Sequence, residues 1–381
     1  MKNWESVKLG DLYEVHNGLS KGGKFFGSGY PFLTFSTVFN NYFLPEELTD
    51  FVQSTEKERE SYSILRGDVF VTRTSETSDE LGMSCVALKD YPNATYNGFT
   101  KRMRPITDRV LPEYIGYYMR MPSFRGEFQA FSTMTTRASL KNEDLLSLEV
   151  KLPEIDEQRK IAGILSTYDA LILNNQKQIK LLEEAAQRLY KEWFVDLRFP
   201  GYEKTNIIDG LPEGWSNAKV TDLLEIKYGK DHKALEEGDI PVYGSGGIMR
   251  KVQPVLYSGE SVLIPRKGSL NNILFVEGDF WTIDTMFYSI PRLENVAKYA
   301  YLYLCGLDMY SFNIGAAVPS MTTKILSGMD IVLPSKQILQ QFEEQLSPVF
   351  ARMKCLEMQC ETAAEARDRL LPKLMSSEIE L

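Results

Sequence analysis

The chain has 381 residues, of which 43% are hydrophobic and 25% are charged, a composition typical of a globular protein with about two domains. Its net charge of −9 argues against a stand-alone nucleic-acid binder with a broad basic face. No apolar run approaches the roughly 18 residues that span a bilayer, and the opening MKNWESVKLG lacks the apolar core of a signal peptide, so we expect a cytoplasmic protein without a membrane span.

The start of the chain recurs past its middle. A tryptophan, a lysine, an Asp-Leu pair and a glycine keep the same spacing in both places, at an offset of 211 residues. Such internal repetition predicts two similar domains. The matched residues are Trp4, Lys8, Asp11, Leu12 and Gly18 in the first copy, and Trp215, Lys219, Asp222, Leu223 and Gly229 in the second.

The end of each copy recurs as well, at an offset of 181 residues. MTTRASLKNEDLLSLEVKLPEIDEQRKIAGILS occupies 134–166, and PSMTTKILSGMDIVLPSKQILQQFEEQLS occupies 319–347. Each copy therefore predicts a shared start, a divergent middle, a strand that ends in Leu-Pro, and a helix. The divergent middles mix short β-rich runs with helical runs, at 68–75 and 261–269 and at 113–121 and 297–307 respectively.

Each copy ends in a segment whose apolar residues alternate at spacings of four and three. This average of 3.5 residues is typical of a coiled-coil seam, and the two registers superpose. Because Pro348 would interrupt a helix, Ser347-Pro348 and the matching Ser166-Thr167 predict a break before a long helix of roughly 27 residues, about 40 Å. Arg367 stands where the first copy has Ala186, which leaves the pairing there open. The predicted seam comprises Leu165, Tyr168, Ile172, Asn175, Ile179, Leu182 and Leu189 with Leu346, Val349, Met353, Leu356, Leu370 and Leu374.

Basic and polar residues concentrate in Gly-rich loops of the divergent middles. Examples are VTRTSETS (71–78), NGFTKRMR (97–104), YGSGGIMRK (243–251) and IPRKGSLNN (264–272). Arginine can bind guanine through two hydrogen bonds, while Ser, Thr, Asn and backbone amides bind phosphates. One such loop is more often a solvated turn, but their recurrence in both copies favours nucleic-acid contact.

No catalytic motif stands out in the sequence. GLSKGGKF (18–25) is close to the phosphate loop G-x4-G-K, but Phe25 stands where Ser or Thr would bind Mg²⁺. The matching segment after Gly229 lacks a second glycine. We therefore expect residues 18–25 to form a basic loop rather than a nucleotide site. The four cysteines and two histidines show no paired ligand spacing, and we expect no metal.

The sequence resembles the specificity subunit of a type I restriction–modification enzyme over essentially its whole length. The resemblance rests on the restart LPEGW…DL at 211–223, on YGSGG…GESVLIPRKGS at 243–269, and on the two LP…Q…IL(S) helices that follow Leu152 and Leu333. It implies an α+β fold, in which two similar mixed α/β target-recognition domains are separated by two long antiparallel coiled-coil helices related by a pseudo-two-fold axis. The expected segments are 1–152 (first target-recognition domain), 153–198 (first spacer helix), 199–210 (linker), 211–334 (second domain) and 335–381 (second spacer helix).

The resemblance also implies a function without catalysis in this chain. Each domain would recognise one half of a bipartite site in double-stranded DNA. Two methyltransferase (modification) subunits would dock on the helices and hold S-adenosylmethionine for adenine-N6 methyl transfer, which requires a flipped base. Restriction/translocase subunits would supply ATP-driven translocation and cleavage, and ATP and Mg are expected on these partner subunits. A spacer of about 40 Å is close to one DNA turn of roughly 34–36 Å, which predicts half-sites centred about one turn apart.

The resemblance can be carried to individual residues by position. Arg73 and Arg266 each follow a β-rich run, with a one-residue slip between the motifs, and Thr136-Arg137 and Thr323-Lys324 precede the final strand. The predicted DNA-binding residues are Lys21, Lys24, Arg73, Thr74, Lys101, Arg102, Arg104, Thr136, Arg137, Lys230, Tyr243, Ser245, Arg250, Arg266, Lys267, Ser269, Thr322, Thr323 and Lys324.

Three alternatives stay open at this level. The first is the specificity subunit of a related type II system with one fused methyltransferase–nuclease partner. The second is a duplicated scaffold that binds only protein. The third is an enzyme that uses the loop around Lys24 to bind a nucleotide.

Overall fold

The computed structural model describes residues 4–75, 81–130, 138–315, 317–379 and 381. The chain divides into two compact units. Unit 1 comprises Met1–Asn174 and Gln359–Leu381, and unit 2 comprises Asn175–Met358. Each unit therefore combines one globular half of the sequence with part of both long helices.

Unit 1 mixes short strands with short helices before its first long helix. Its strands are β1 (Glu5–Lys8), β2 (Tyr13–Asn17), β3 (Phe26–Leu33), β4 (Phe51–Val52), β5 (Val69–Thr72), β6 (Thr74–Ser75), β7 (Ser84–Val86), β8 (Thr95–Tyr96), β9 (Thr100–Pro105), β10 (Ala138–Ser139) and β11 (Glu149–Leu152). Its helices are α1 (Leu9–Leu12), α2 (Phe35–Asn40), α3 (Glu56–Ser61), α4 (Pro112–Tyr118), α5 (Pro122–Ala130), α6 (Asn142–Ser147) and the start of α7 (Ile155–Tyr190).

Unit 2 repeats this arrangement with fewer helices. Its strands are β12 (Ile207–Ile208), β13 (Leu211–Pro212), β14 (Ser216–Lys219), β15 (Leu224–Tyr228), β16 (Glu237–Gly244), β17 (Gly247–Val252), β18 (Tyr257–Pro265), β19 (Leu274–Thr282), β20 (Met286–Pro291) and β21 (Asp330–Leu333). Its helices are the end of α7, α8 (Val220–Leu223), α9 (Ala297–Cys305), α10 (Thr323–Gly328) and the start of α11 (Lys336–Met375), as far as Met358.

The two units share one sheet order. In unit 1, β2-β9-β5-β7 form one sheet and β8-β3-β4 another, whereas β15-β20-β18-β19-β16-β17 form a single sheet in unit 2. The strand β19 pairs with both β18 and β16, and so takes the place of β7 and β8, which segment 87–94 separates in unit 1. The predicted pair of similar mixed α/β domains is confirmed.

A two-stranded ladder closes each unit in the same register. The strand β1 pairs antiparallel with β11, with Lys8 opposite Glu149. The strand β14 pairs with β21 in the same way, with Lys219 opposite Asp330. A tyrosine from a helix between the two ladder strands binds each ladder, since Tyr114 of α4 and Tyr299 of α9 donate to the carbonyls of Lys151 and Val332 at 2.7 and 2.5 Å. Trp4 and Trp215 each immediately precede the first strand of their ladder.

The predicted linker contains a small hairpin. The strands β12 and β13 pair antiparallel around Asp209 and Gly210. Both of these residues have positive φ, 50° and 82°, the backbone of the Asp-Gly turns that join two-residue hairpins. The LPEGW segment therefore begins inside this hairpin and leads directly into β14.

The expected break in the long helices is wrong. The helix α7 runs through Ser166-Thr167 for 36 residues, and α11 runs through Pro348 for 40 residues, which corresponds to about 54 and 60 Å. Pro348 is exposed, so its ring projects away from the packed side. Among the described residues, no helix is long and apolar enough to cross a membrane.

In unit 1, the start of α7 packs antiparallel on the end of α11. Leu165 lies in one buried cluster with Leu371 and Leu374. Farther along α7, the carbonyl of Ile172 accepts from Cys360 Sγ at 3.7 Å. Residue numbers thus rise along α7 as they fall along α11.

In unit 2, the end of α7 packs antiparallel on the start of α11. Ala186 and Tyr190 share a buried cluster with Phe342 and Leu346, and Arg352 Nη2 donates to Gln178 Oε1 at 3.2 Å. The predicted seam residues are all buried or half-buried: Leu165, Tyr168, Ile172, Asn175, Ile179, Leu182, Leu189, Leu346, Val349, Met353, Leu356, Leu370 and Leu374.

Candidate nucleic-acid interface

Arg73 lies where β5 ends and three segments of unit 1 meet. Its backbone N–H donates to the carbonyl of Phe99 at 2.9 Å, and its own carbonyl accepts from the N–H of Leu140 at 3.0 Å. These two bonds hold the backbone of Arg73 between the turn before β9 and the segment before α6. We call Arg73, Phe99 and Leu140 the unit 1 arginine site.

Arg266 has the same backbone partners in unit 2. Its N–H donates to the carbonyl of Thr285 at 2.8 Å, and its carbonyl accepts from the N–H of Met321 at 2.9 Å. Thr285 occupies the turn before β20, as Phe99 does before β9. Strand pairing aligns Arg73 with Arg266, so the one-residue slip between the two motifs lies on the N-terminal side of the paired residues, between Gly67 and Gly259. We call Arg266, Thr285 and Met321 the unit 2 arginine site.

In each unit, the repeated glycine that follows β2 or β15 lies against the backbone of the turn next to the arginine site. A Cβ on Gly18 would lie 2.0 Å from the carbonyl oxygen of Asn97, and a Cβ on Gly229 would lie 2.0 Å from that of Ile283. Any side chain would overlap the backbone there, which explains why both copies carry glycine. Gly18 therefore has a packing role, and the segment after it contains only the short 3-10 turn Gly23–Phe25, rather than the helix that follows a phosphate loop.

Aromatic and hydroxyl groups surround Arg266. Its guanidinium lies 5.5 Å from the ring centre of Tyr228, and its Nη1 donates to the carbonyl of Asp284 at 3.0 Å. The Tyr228 hydroxyl lies 3.4 Å from Thr323 Oγ1, while the tyrosine remains 53% exposed. The structure thus brings together Arg266 and Thr323, which the sequence predicted, with Tyr228, which it missed.

The loop after Arg266 adds further polar groups to the same surface. The backbones of Lys267 and Ser320 form an isolated antiparallel β-bridge. The N–H of Gly268 donates to the carbonyl of Pro319 at 2.9 Å. Ser245 is held nearby, because Asn272 Nδ2 donates to its carbonyl at 2.9 Å. The remaining predicted residues on this side of unit 2 are exposed or half-buried: Lys230, Ser269, Thr322 and Lys324.

Two predicted residues of unit 2 are engaged elsewhere. The ring of Tyr243 packs against Phe280 with centroids 6.3 Å apart, and Arg250 Nη2 donates to the carbonyl of Leu235 at 2.8 Å. Both side chains thus bind within unit 2, whose sheet includes β16 and β17.

Arg102 and Arg104 are a clearer correction in unit 1. Arg102 is only 4% exposed, and its Nη1 donates to the carbonyl of Ser63 at 2.8 Å. Arg104 binds the fully buried Asp68 through two hydrogen bonds of 2.8 and 2.7 Å, and these bonds raise its pKa. Both side chains lie on the face of β9 opposite that of Lys101, where bonds within unit 1 hold them.

The other predicted residues of unit 1 have varied surroundings. Lys21 forms an ion pair with Glu58 at 2.7 Å, whereas Lys24 is exposed and lies 5.1 Å from the Phe25 ring centre. Lys101 lies beside the unit 1 arginine site. Thr74 belongs to β6, which pairs with β10; Thr136 and Arg137 lie outside the described residues.

Sequence reasoning missed two exposed aromatic residues near the arginines, Tyr228 in unit 2 and Phe99 in unit 1, which is 59% exposed. For Tyr228 there was a signal, since it immediately precedes the repeated Gly229. Within the described residues, no group of three or more His, Cys, Asp or Glu side chains is arranged to hold a metal ion.

Comparisons with known proteins agree with the duplicated layout. The family model for the type I restriction modification DNA specificity domain matches residues 1–184 and again 212–359. The chain is 24% identical to the type I restriction enzyme MjaIX specificity subunit of Methanocaldococcus jannaschii, over 100% of this chain and 94% of that protein. It is 21% identical to the type I restriction enzyme HindI specificity subunit of Haemophilus influenzae, over 100% of both chains.

A solved structure shows the same fold. The crystal structure of a type I restriction–modification S subunit from M. genitalium superposes with a TM-score of 0.54 and 16% identity, over 98% of this chain and 96% of that one. The repeated domain match covers most of the chain. This protein therefore belongs to the family of type I restriction–modification specificity subunits, and it is a DNA-recognition subunit.

Proposed function

We propose that each unit recognises one half of a bipartite, asymmetric site in double-stranded DNA, with Arg73 and Arg266 as the matched central contacts. The observation that supports this proposal is the shared backbone frame, in which both arginines bond to equivalent turns. A frame repeated in two divergent domains keeps the contact position constant while the neighbouring side chains vary. Base edges and phosphates both accept from arginine.

The proposed contacts around Arg266 are Tyr228 and the polar residues of the adjoining loops. In unit 1, the proposed set comprises Arg73, Thr74 and Lys101, with Lys24 at the edge. Thr136 and Arg137 stay in the proposed set on their sequence position alone. Arg102, Arg104, Tyr243 and Arg250 are left out because their side chains bind within their own unit. The proposed unit 2 set is Tyr228, Lys230, Ser245, Arg266, Lys267, Ser269, Thr322, Thr323 and Lys324.

Two methyltransferase subunits are proposed to dock on the long helices. Both helices expose large apolar residues away from the seam, among them Leu171 and Leu181 of α7 and Met358 of α11, at 44%, 63% and 61% exposure. Such residues are candidates for a protein interface. S-adenosylmethionine for adenine-N6 transfer is expected on these partners, and ATP and Mg on the restriction/translocase subunits.

Methylation mapping tests this function. The chain is expressed with its modification partner in a host without other adenine methylation, and methylated positions are sequenced. We expect one bipartite motif with two specified halves and an unspecified spacer. A continuous motif, or no motif from an active partner, contradicts the proposal. Co-purification of a separate translocase rather than one fused methyltransferase–nuclease distinguishes the type I from the type II assembly.

The long helices allow a second test. Insertion of seven residues at matched positions of both α7 and α11 preserves the 3.5-residue seam. We expect a longer unspecified spacer with both half-sites unchanged. A change in the specified bases would contradict the role of the helices as a spacer.

A further inference from the structure

Lys101 is a buried cation in the middle of a sheet. It lies on β9, between Asn17 of β2 and Val71 of β5, and only 4% of it is exposed. A buried ammonium group is costly unless it is paired with an opposite charge or fully hydrogen-bonded. The groups that contact the Lys101 ammonium therefore bear on its function.

The partner of Lys101 brings no negative charge. Its Nζ donates a short hydrogen bond to Asn142 Oδ1, and an amide oxygen is neutral. Burial is the main cause that lowers the pKa of Lys101, and the positive charge of Arg73 lowers it further, while Asp144 acts in the opposite direction. Among the described residues, no carboxylate forms an ion pair with Lys101 or Arg73.

Strand geometry places the two cations on one face of the sheet. Val71 lies directly opposite Lys101, and Arg73 is two residues farther along the chain. Residues two apart on a strand point to the same side, so Arg73 is the diagonal neighbour of Lys101. Two like charges lie side by side, with Asn142 as the hydrogen-bond partner of one.

Unit 2 shows that the fold does not require this arrangement. Phe287 occupies the position of Lys101, since it pairs with Tyr228 of β15 and Ile264 of β18. Thr323 stands where unit 1 has Asn142 in the sequence repeat. At these positions unit 2 thus has one cation, Arg266, beside the apolar Phe287. Unit 1 has two cations, Arg73 and Lys101.

We infer that Lys101, Arg73 and Asn142 form an anion site that takes a phosphodiester group of DNA. The inference rests on the proposed function, and it defines the unit 1 contact as a backbone contact rather than a base contact. Phosphate oxygens accept from both cations and supply the missing negative charge. The same chemistry would also bind free phosphate, so the test separates the two sources.

The first experiment uses the purified full chain without DNA. Thermal midpoints are measured in inorganic phosphate and in chloride at constant ionic strength, for wild type, Lys101→Met and the exposed-lysine control Lys8→Met. We expect phosphate to raise the midpoint of wild type and Lys8→Met, and to leave Lys101→Met unchanged. Equal responses from all three proteins overturn the anion site.

A second variant places a negative charge of the protein itself beside Lys101. Asn142→Asp places a carboxylate next to Lys101 and should raise the midpoint in chloride while removing the response to phosphate. This variant keeps its meaning even if Lys101→Met folds poorly. An unchanged phosphate response in Asn142→Asp also overturns the proposal.

The second experiment uses the complex with the methyltransferase partner. Lys101→Met should weaken DNA binding about tenfold for all sequences at moderate salt and reduce the salt slope by about one, with the methylated motif unchanged. A relaxed base at one position, or a phosphate response without any change in DNA binding, overturns the assignment to the DNA backbone. The phosphate assay needs no partner, so it can succeed even if no bipartite motif is found.

Discussion

The two units differ most sharply where the long helices pack on them. Asp169 and Phe350 hold matching positions in the two helices, as do Arg367 and Ala186. In unit 1, Arg367 Nη1 binds Asp169 Oδ1 at 2.5 Å, and its guanidinium lies 4.6 Å from the Tyr42 ring centre. Burial works to lower the pKa of Arg367, but Asp169 and its neighbours raise it overall.

Unit 2 fills the same place with aromatic side chains. The ring of Phe350 lies 5.0 Å from Phe275 and 5.9 Å from Tyr301 between centroids. One backbone frame therefore accepts either an ion pair or an aromatic cluster. Parts that repeat, such as the ladders and the close-approach glycines, set the frame, while the side chains that fill it are free to diverge. The arginine sites follow the same rule.

The largest expected effect comes from the shared frame. Gly18→Ala and Gly229→Ala should each destabilise the protein by about 3 kcal/mol or more, because the added carbon overlaps a backbone carbonyl in both units. Urea denaturation measures the loss. Gly163→Ala is the matched control, since no atom lies within 4 Å of its Cβ position, and it should stabilise α7 by about 0.5–1 kcal/mol. A mild effect at either Gly18 or Gly229 would show that the frame is not shared.

The difference between the two units can be tested by replacing the ion pair of unit 1 with the residues at the matching positions of unit 2. Arg367→Ala should cost about 3 kcal/mol, because it leaves Asp169 partly buried without its counter-charge. The double variant Asp169→Phe with Arg367→Ala installs the unit 2 pair and should recover most of that loss in urea denaturation. The exposed pair of Lys354 and Glu277 is the control, and Lys354→Ala should cost less than about 0.5 kcal/mol. A double variant no better than the single one would mean that unit 1 cannot accept the unit 2 chemistry.

The arginine sites should differ in what they specify. Arg266→Gln should relax the methylated motif at one position of one half-site, equivalent to about 1–3 kcal/mol. Arg73→Gln should weaken methylation of all sites alike if its neighbour Lys101 binds phosphate. Methylation mapping measures both, with the exposed Arg198→Gln as control. Relaxation of both half-sites by one variant would contradict the division of labour between the units.

The smallest effect concerns the ring beside Arg266. Tyr228→Phe keeps the ring under the guanidinium and should preserve the motif. Tyr228→Leu removes it and should relax the base specified by Arg266 by about 0.5–1 kcal/mol. The double variant Arg266→Gln with Tyr228→Leu is compared with Arg266→Gln alone. If both relax the motif equally, the tyrosine acts through the arginine. Additive losses would indicate a separate contact.

The sequence predicted the layout better than the side-chain roles. The offsets of 211 and 181 residues were enough to predict two like domains, because matching spacings require matching backbones. The β-rich run before each arginine, rather than either offset, made Arg73 and Arg266 counterparts. The break at Pro348 was mispredicted because a proline on the exposed side of a long helix costs less than the continuous seam stabilises.

Charge patterns alone could not separate surface from interior. In NGFTKRMR, three cations lie on β9, and the sequence does not say which of them bind within unit 1. Only the tertiary structure assigns Arg102 to the Ser63 carbonyl and Arg104 to Asp68, and leaves Lys101 beside Arg73. The repeat and the helical seam are local periodicities that the chain carries by itself. The partner of each of these charges, and that of Arg367, lies 36 to 198 positions away in the sequence, and only the folded chain brings the two into contact.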